Sequence, residues 1–219
     1  MLRGSNFYWF AWGSGAGTRS AKCWDLEARM EDAKPITIAE FLAWEARQTT
    51  NHELIEGVIV AMSTPTKAHG RLVRRLNRTI DAAVGDTRDV YLGDMTVRIE
   101  GLERDNAPRP DIVVTCDERD RRPHDEDDRT ISWPKLVVEV ISPRTAAKDL
   151  VTKLRNYFSI PTVEEYLIVD SRARSVIVHR RTGEQVVTMW PDTAIELSSI
   201  DRTISLDDLY DGIGSSTVE

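Results

Sequence analysis

The chain has 219 residues and a formal net charge of -7, with 41% hydrophobic and 30% charged residues. This length predicts one domain with a substantial core, and no apolar run approaches the roughly 20 residues of a membrane helix. The negative charge disfavours a protein that coats nucleic acid through bulk positive charge. The two cysteines, Cys23 and Cys116, form no CxxC pair, which disfavours a disulfide scaffold or zinc ribbon and favours a cytoplasmic location.

Residues 1 to 29 differ in composition from the rest of the chain. Aromatic residues cluster between Phe7 and Trp12, a glycine-rich stretch follows, and the segment has neither a helical nor a strand period. We therefore expect residues 1 to 29 to form a flexible extension, residues 30 to 213 to form the domain, and residues 214 to 219 to form a tail.

The domain opens with a helix-start signal that is followed by a hairpin signal. Thr37 and Glu40 have the spacing of a capping box, which predicts a helix over about 38 to 48. Beyond this helix, two short apolar runs flank Glu56 and Gly57. This pair favours a tight turn between two antiparallel strands.

An amphipathic helix is predicted over about 67 to 84, where apolar residues recur at helical spacing. Its polar side carries four arginines at relative positions i, i+3, i+4 and i+7, which share one face of a helix. This arginine face consists of Arg71, Arg74, Arg75 and Arg78. Two interpretations remain open for it: a solvated helix surface, or a surface that contacts nucleic-acid phosphates.

The remaining pattern is that of an α/β domain. Two strands, at 111 to 116 and 135 to 141, have a near-continuous branched apolar content, which is typical of strands buried on both faces beneath helices. Cys116 is accordingly expected to be a small buried hydrophobe. We also expect strands near 88 to 100 and 164 to 170, a helix over 146 to 158, an exposed loop over 117 to 129, and a final hairpin of 174 to 181 and 184 to 190 that turns at Thr182 and Gly183.

Two carboxylates lie within the apolar strands. Asp111 begins one strand and Glu139 interrupts the other, where an ionised carboxylate costs several kcal/mol unless a partner compensates it. Two carboxylates about 4 Å apart repel by about 4 kcal/mol at an effective dielectric constant of 20. We therefore expect one of them to be protonated or a cation to lie between them, and Mg²⁺ suits such oxygen ligands.

Lys153 lies on the following helix, four residues after Asp149 and beside the apolar stripe of that helix. Its ammonium can extend toward the strand that carries Glu139. A lysine beside a metal-bound water can orient that water or help to remove its proton. This pattern favours Asp111, Glu139 and Lys153 as catalytic residues, and the alternative for Lys153 is an ordinary helix-edge lysine paired with Asp149.

Five short motifs follow one another along the chain: ELIEG at 53 to 57, PD at 110 and 111, VEVISP at 138 to 143, the pair Asp149 and Lys153, and YLIVD at 166 to 170. Together they resemble the Uma2 family of restriction endonuclease-like proteins, within the PD-(D/E)xK nuclease superfamily. The resemblance covers about 36 to 210. The expected fold is therefore restriction endonuclease-like α/β, with a mixed central β-sheet flanked by helices and a C-terminal β-hairpin.

The resemblance implies hydrolysis of DNA phosphodiester bonds that depends on Mg²⁺ or Mn²⁺. It implies that Asp111 and Glu139 hold the metal, with the Val140 carbonyl and Glu53 as further ligands, and that Lys153 positions the attacking water. The residues implied to line the cleft are His69 and Asp149.

The chain departs from the superfamily pattern at Ile141, where a lysine is expected two residues after the acidic residue of the strand. Within the Uma2-like pattern Lys153 replaces that lysine. DNA is the expected partner, without a membrane, and we also consider a homodimer. An alternative function is a catalytically weak or inactive module that keeps the fold and binds nucleic acid through the arginine face.

Overall fold

The structure is a computed structural model that describes residues 35 to 93, 95 to 122, 129 to 141 and 147 to 213, with the backbone alone for 147 to 149. The N-terminal extension and the C-terminal tail lie outside the described residues, so their separation from the domain stays a prediction. No helix of the described part is long and apolar enough to cross a bilayer.

Helices and strands follow one another in mixed order along the described part of the chain. Their bounds are α1 (Ile38–Glu45), β1 (His52–Ile55), β2 (Val58–Ala61), α2 (Lys67–Val84), β3 (Asp89–Leu92), β4 (Thr96–Val97), β5 (Ile112–Thr115), α3 (Glu118–Arg121), β6 (Thr130–Ile131), β7 (Pro134–Ile141), α4 (Ala147–Phe158), β8 (Glu165–Asp170), β9 (Val176–Thr182), β10 (Gln185–Met189), β11 (Ala194–Leu197), β12 (Arg202–Ser205) and α5 (Leu206–Tyr210). The expected α/β class is confirmed.

A six-stranded mixed sheet in the order β10-β9-β8-β7-β5-β3 forms the centre of the domain. β7 and β8 are parallel, and the other neighbours are antiparallel. Ile112 of β5 lies opposite Val138 of β7, which brings the start of β5 beside the end of β7. The two carboxylates of these strands, Asp111 and Glu139, are thereby placed at the same level of the sheet.

Helices cover both faces of this sheet, as the apolar content of β5 and β7 predicts. α2, α5 and the β11–β12 hairpin pack on one face, where Leu76, Val138 and Leu167 are fully buried. α4 packs on the other face, where Tyr157, Val137 and Tyr166 are fully buried. Because side chains alternate along a strand, Glu139 shares the α4 face with Val137.

α1 and the β1–β2 hairpin form a third apolar cluster, which includes Phe41 and Leu54. The capping box is confirmed: Thr37 accepts a hydrogen bond from the Glu40 backbone, and the Glu40 carboxylate accepts one from the Thr37 backbone. Since Leu54 is directed into this cluster, the alternation of β1 directs its neighbour Glu53 to the opposite face of the hairpin.

Three expected elements have different bounds in the structure. The strand over 88 to 100 is interrupted because Gly93 adopts a positive φ of 39°, so that β3 joins the main sheet and β4 pairs with β6. The first helix ends at Glu45, beyond which the backbone makes i→i−3 turn hydrogen bonds. The final hairpin turns at Gly183 and Glu184, one residue later than expected.

The loop expected over 117 to 129 begins with the short helix α3, which Asp117 caps, and residues 123 to 128 lie outside the described part. Cys116 is exposed, not buried. β5 ends at the buried Thr115, so the next side chain leaves the sheet toward solvent.

Gly57 supplies a test of the first hairpin turn. Glu56 and Gly57 both have positive φ values, 52° and 73°, and a Cβ added at Gly57 would lie 3.0 Å from the Cβ of Pro35. Gly57→Ala should therefore lower the free energy of unfolding by about 1 to 2 kcal/mol. In urea unfolding, the control Gly70→Ala should raise it by about 0.5 to 1 kcal/mol, because Gly70 lies in the first turn of α2 and a Cβ added there has no neighbour within 4 Å. Equal effects of the two variants would contradict the turn assignment.

Candidate functional site

Lys153 lies between two carboxylates that come from different parts of the chain. Its Nζ atom is 2.9 Å from Oε1 of Glu53 and 2.9 Å from Oε1 of Glu139. The side chains are only 11% to 12% exposed. β1, β7 and α4 thus meet at one charged group, the ammonium of Lys153. The cation expected between Asp111 and Glu139 stays a prediction, since Lys153 lies between Glu139 and Glu53.

The geometry of α4 explains why this ammonium reaches Glu139. Lys153 and Tyr157 are four residues apart and therefore lie on one face of the helix. The Tyr157 hydroxyl donates to Oε1 of Glu139 at 2.9 Å. The same carboxylate oxygen accepts from both side chains, which holds Glu139 against α4.

Asp111 has its own set of partners at the end of β7. Its Oδ1 atom lies 2.9 Å from Nε2 of His69, and its Oδ2 atom accepts a hydrogen bond of 2.6 Å from the Val140 backbone N–H. His69, in the first turn of α2, therefore reaches the carboxylate from the side of the sheet opposite to α4. Both oxygens of Asp111 are engaged by the described residues.

A second group of buried charges supports Glu53. The Arg109 backbone N–H donates to Oε1 of Glu53 at 2.7 Å, and the Arg109 guanidinium lies 3.8 Å from Glu45. Glu45 in turn accepts hydrogen bonds from the backbone and the ring of His52. These contacts fix His52, the residue before Glu53, and the segment before Asp111. Arg109 and Glu45 were not predicted from the sequence. The position of Arg109 next to the PD motif was the one feature that could have indicated its role.

The electrostatic balance of the site is set by burial and by an excess of negative charge. Burial raises the pKa of Glu139 to about 7, the neighbouring Glu53 and Asp111 raise it as well, and Lys153 opposes them. Burial alone would lower the pKa of Lys153, but Glu139 and Glu53 outweigh it and raise that pKa. The ammonium therefore stays charged, while Glu139 titrates near neutral pH.

Two tyrosines and one histidine around the carboxylates also have shifted pKa values. Burial raises the pKa of Tyr157 and of Tyr166 well above the ordinary value, so both hydroxyls stay protonated and Tyr157 remains a hydrogen-bond donor. The hydrogen bond to Asp111 raises the pKa of His69 against an opposing contribution from burial. The imidazolium form of His69 is favoured by this contact.

The arginine face is divided by its contacts. Arg71 donates to the Gly212 carbonyl at 3.2 Å, and Arg75 donates to the carbonyls of Leu209 and Asp211. Both side chains thus hold the segment at the end of α5. Arg74 and Arg78 are exposed and have no hydrogen-bond or ion-pair partner among the described residues.

The other residues named from the sequence occupy different surroundings. Asp149 belongs to α4, but its side chain lies outside the described part. Ile141, at the position of the superfamily lysine, is half-buried and packs in the cluster beneath α4. The Val140 side chain is buried, and the Val140 backbone N–H donates a hydrogen bond to Asp111. The replacement of a strand lysine by Lys153 stays a prediction, although its ammonium does contact Glu139.

The donor set fits a hard divalent cation by its chemistry. Carboxylate oxygens are the ligands that Mg²⁺ prefers, and the described residues donate only to the Oε1 atoms of Glu53 and Glu139, leaving each Oε2 without a donor. No group of three or more His, Cys, Asp or Glu side chains in the described part already has metal-binding spacing. Metal binding therefore requires the side chains to share or exchange their present partners.

Glu139→Gln tests the excess negative charge. The pKa of Glu139 is raised from 4.5 to about 7, so folding takes up a proton between these two pH values. The free energy of unfolding is therefore higher below pH 4.5, and this contribution of Glu139 is lost as the pH rises to 7. In chelator, Glu139→Gln should match the wild type at pH 4.5 and exceed its free energy of unfolding by about 1 to 3 kcal/mol at pH 8.

Glu164→Gln is the matched control, since the Glu164 carboxylate is exposed and pairs with Lys135. It should change the free energy of unfolding by less than about 1 kcal/mol at both pH values. A clear loss of stability in Glu139→Gln at pH 8 would contradict the assignment and make Glu139 a necessary member of the buried ion pair.

Comparison with known proteins supplies relatives over most of the chain. Residues 38–209 match the model of the Uma2 family, which is described as "Putative restriction endonuclease". A protein of Synechocystis sp., "Uncharacterized protein slr1290", is 33% identical over 177 residues, which are 80% of this chain and 90% of that protein. A second Synechocystis sp. protein, "Uncharacterized protein sll1609", is 29% identical over 153 residues, 69% of this chain and 84% of that protein.

A solved structure shares the fold. The crystal structure of "a putative nuclease belonging to DUF820" from Anabaena variabilis superposes with a TM-score of 0.63 at 22% identity, and the match covers 80% of this chain and 98% of that one. The expected restriction endonuclease-like family is confirmed by these comparisons. The chain belongs to the Uma2 family.

Proposed function

We propose that this protein is an endonuclease that hydrolyses DNA phosphodiester bonds with the help of Mg²⁺ or Mn²⁺. The observation that carries the proposal is the convergence of Asp111, directly before β5, with Glu139 of β7 and Lys153 of α4 in a chain of the Uma2 family. Buried carboxylates beside a lysine are costly for stability alone, so a chemical role accounts for their presence.

Asp111 and Glu139 would hold the metal, with Glu53 and the Val140 carbonyl as further ligands. A bound divalent cation lowers the pKa of a water ligand and stabilises negative charge on a transferring phosphoryl group. The raised pKa of Glu139 supports this assignment, because burial raises it first and the neighbouring Glu53 and Asp111 raise it further, and a bound cation would favour the ionised carboxylate against both.

Lys153 acts as a hydrogen-bond donor and a fixed positive charge. Since its pKa is raised, it remains an ammonium and does not remove a proton from the attacking water. It orients that water through its Nζ–H groups and faces the charge that develops on the phosphate. Tyr157 keeps Glu139 in position, and His69 does the same for Asp111.

A second candidate function is nucleic-acid binding without efficient cleavage. The observation that favours it is the engagement of both Asp111 oxygens and of the Lys153 ammonium by neighbouring groups. In such a module these contacts would be structural, and the exposed Arg74 and Arg78 would supply the phosphate contacts.

Cleavage of supercoiled plasmid DNA tests the proposed function. The wild type should nick or cut DNA in Mg²⁺ or Mn²⁺ and be inactive in chelator, and Asp111→Asn should lower the rate at least about 100-fold because it removes a ligand charge. Glu164→Gln, which changes an exposed carboxylate paired with Lys135, should keep the wild-type rate. Metal-independent DNA binding by a wild type that never cleaves would overturn the enzyme in favour of the binding module.

The salt dependence of DNA affinity tests the arginine face. The double variant Arg74→Gln/Arg78→Gln should reduce the slope of log affinity against log salt by about 2, since each phosphate contact contributes close to one unit. The control Arg71→Gln/Arg75→Gln removes guanidinium groups that bind carbonyls near α5. It should keep the slope and lower the free energy of unfolding by about 1 kcal/mol. An unchanged slope in the first variant would exclude this helix face from DNA binding.

A further inference from the structure

Among the described residues, β10 is an edge strand of the central sheet and carries none of the charges or prolines that usually protect such an edge. It pairs with β9 on one side only among the described strands. Its five residues, Gln185 to Met189, include no charge and no proline. Val186 and Val187 are 40% and 42% exposed, and Trp190, directly after the strand, is 68% exposed. Because Val186 and Val187 are adjacent, they present apolar surface on opposite faces of the sheet.

The opposite edge of the same sheet is different. β3 begins with Asp89, which forms an ion pair with Arg121 at 3.2 Å, and charge of this kind is a common defence of an edge strand. β10 has no such charge. Its outer backbone N–H and C=O groups are therefore open to pairing with a further strand.

We propose that β10 pairs with β10 of a second copy of this chain, antiparallel and about a twofold axis, so that two six-stranded sheets join into one. Such pairing satisfies the outer backbone N–H and C=O groups of β10 and covers the exposed valines. It concerns a surface of the sheet edge and is independent of the proposed nuclease activity.

Charge favours a second copy of the chain as the occupant. Antiparallel pairing centred on Val187 places Gln185 opposite Met189 and Glu184 opposite Trp190, so that no like charges meet although each copy carries a net charge of -7. The two Val187 side chains lie opposite each other on one face, and such apolar cross-strand pairs stabilise a sheet. In a twofold interface the same surface of each copy contacts the other, and the uncharged β10 can pair with itself in this way.

Sedimentation equilibrium of the full-length chain tests the proposal. The apparent mass should rise from 24.8 kDa toward twice that value with concentration, because an interface built on one short strand is at the weak end of the size range. Val187→Lys, which places two positive charges opposite each other, should raise the dissociation constant at least about tenfold. The control Val58→Lys is matched in residue type and in its 42% exposure, and it should leave the dissociation constant unchanged.

Hydrogen exchange of the wild type supplies a measurement that does not depend on a variant. Backbone amides of residues 184 to 190 should gain protection as the protein concentration rises, while the amides of β3 should not. A wild type that is monomeric at every concentration would overturn the proposal, as would a dimer that Val187→Lys leaves intact. Protection of β10 that is independent of concentration would overturn it as well, since it would indicate cover by a segment of the same chain, such as residues 1 to 34.

Discussion

One ammonium group holds the candidate site together. Lys153 contacts Glu53 and Glu139 at equal distances of 2.9 Å, and each of the three residues comes from a different element. Without this cation, two carboxylates would lie uncompensated in a nearly dry region, at a cost of several kcal/mol. This contact joins α4 to β7 and to the β1–β2 hairpin. One charge thus serves the fold and, in the proposed reaction, the orientation of water.

The positive charges of the site do not fully neutralise its carboxylates, and this excess of negative charge connects the structure with the proposed chemistry. Three carboxylates face one lysine and one histidine, and Glu53 and Asp111 add to burial in raising the pKa of Glu139. A divalent cation would relieve the repulsion among such carboxylates. The Arg109 backbone N–H holds Glu53 and the Arg109 guanidinium lies beside Glu45, so Glu53 is fixed by a contact that does not involve Lys153.

Much of the fold and of the site follows from local patterns in the sequence. The period of α2, the capping box at Thr37 and the apolar content of β7 each depend on neighbouring residues, and the structure confirms them. Glu139 could be predicted as a site residue because it is a carboxylate within such an apolar strand. The β11–β12 hairpin and the support by Arg109 could not be predicted in this way, because they depend on contacts between residues far apart in the chain. The division of the arginine face likewise depends on where α5 docks.

Measurement of the free energy of unfolding of Lys153→Met against pH, without metal, tests the central role of the ammonium most directly. The account predicts a loss of about 3 to 5 kcal/mol at pH 8 that falls by at least half at pH 5, because protonation of Glu139, whose pKa is raised to about 7, removes one of the two uncompensated charges. Lys135→Met removes the half-buried partner of the exposed Glu164 carboxylate, and it should cost less than about 1 kcal/mol at either pH, since Glu164 stays solvated. A loss in Lys153→Met that is the same at pH 8 and pH 5 would contradict the account, since it would reflect packing of the side chain and not its charge.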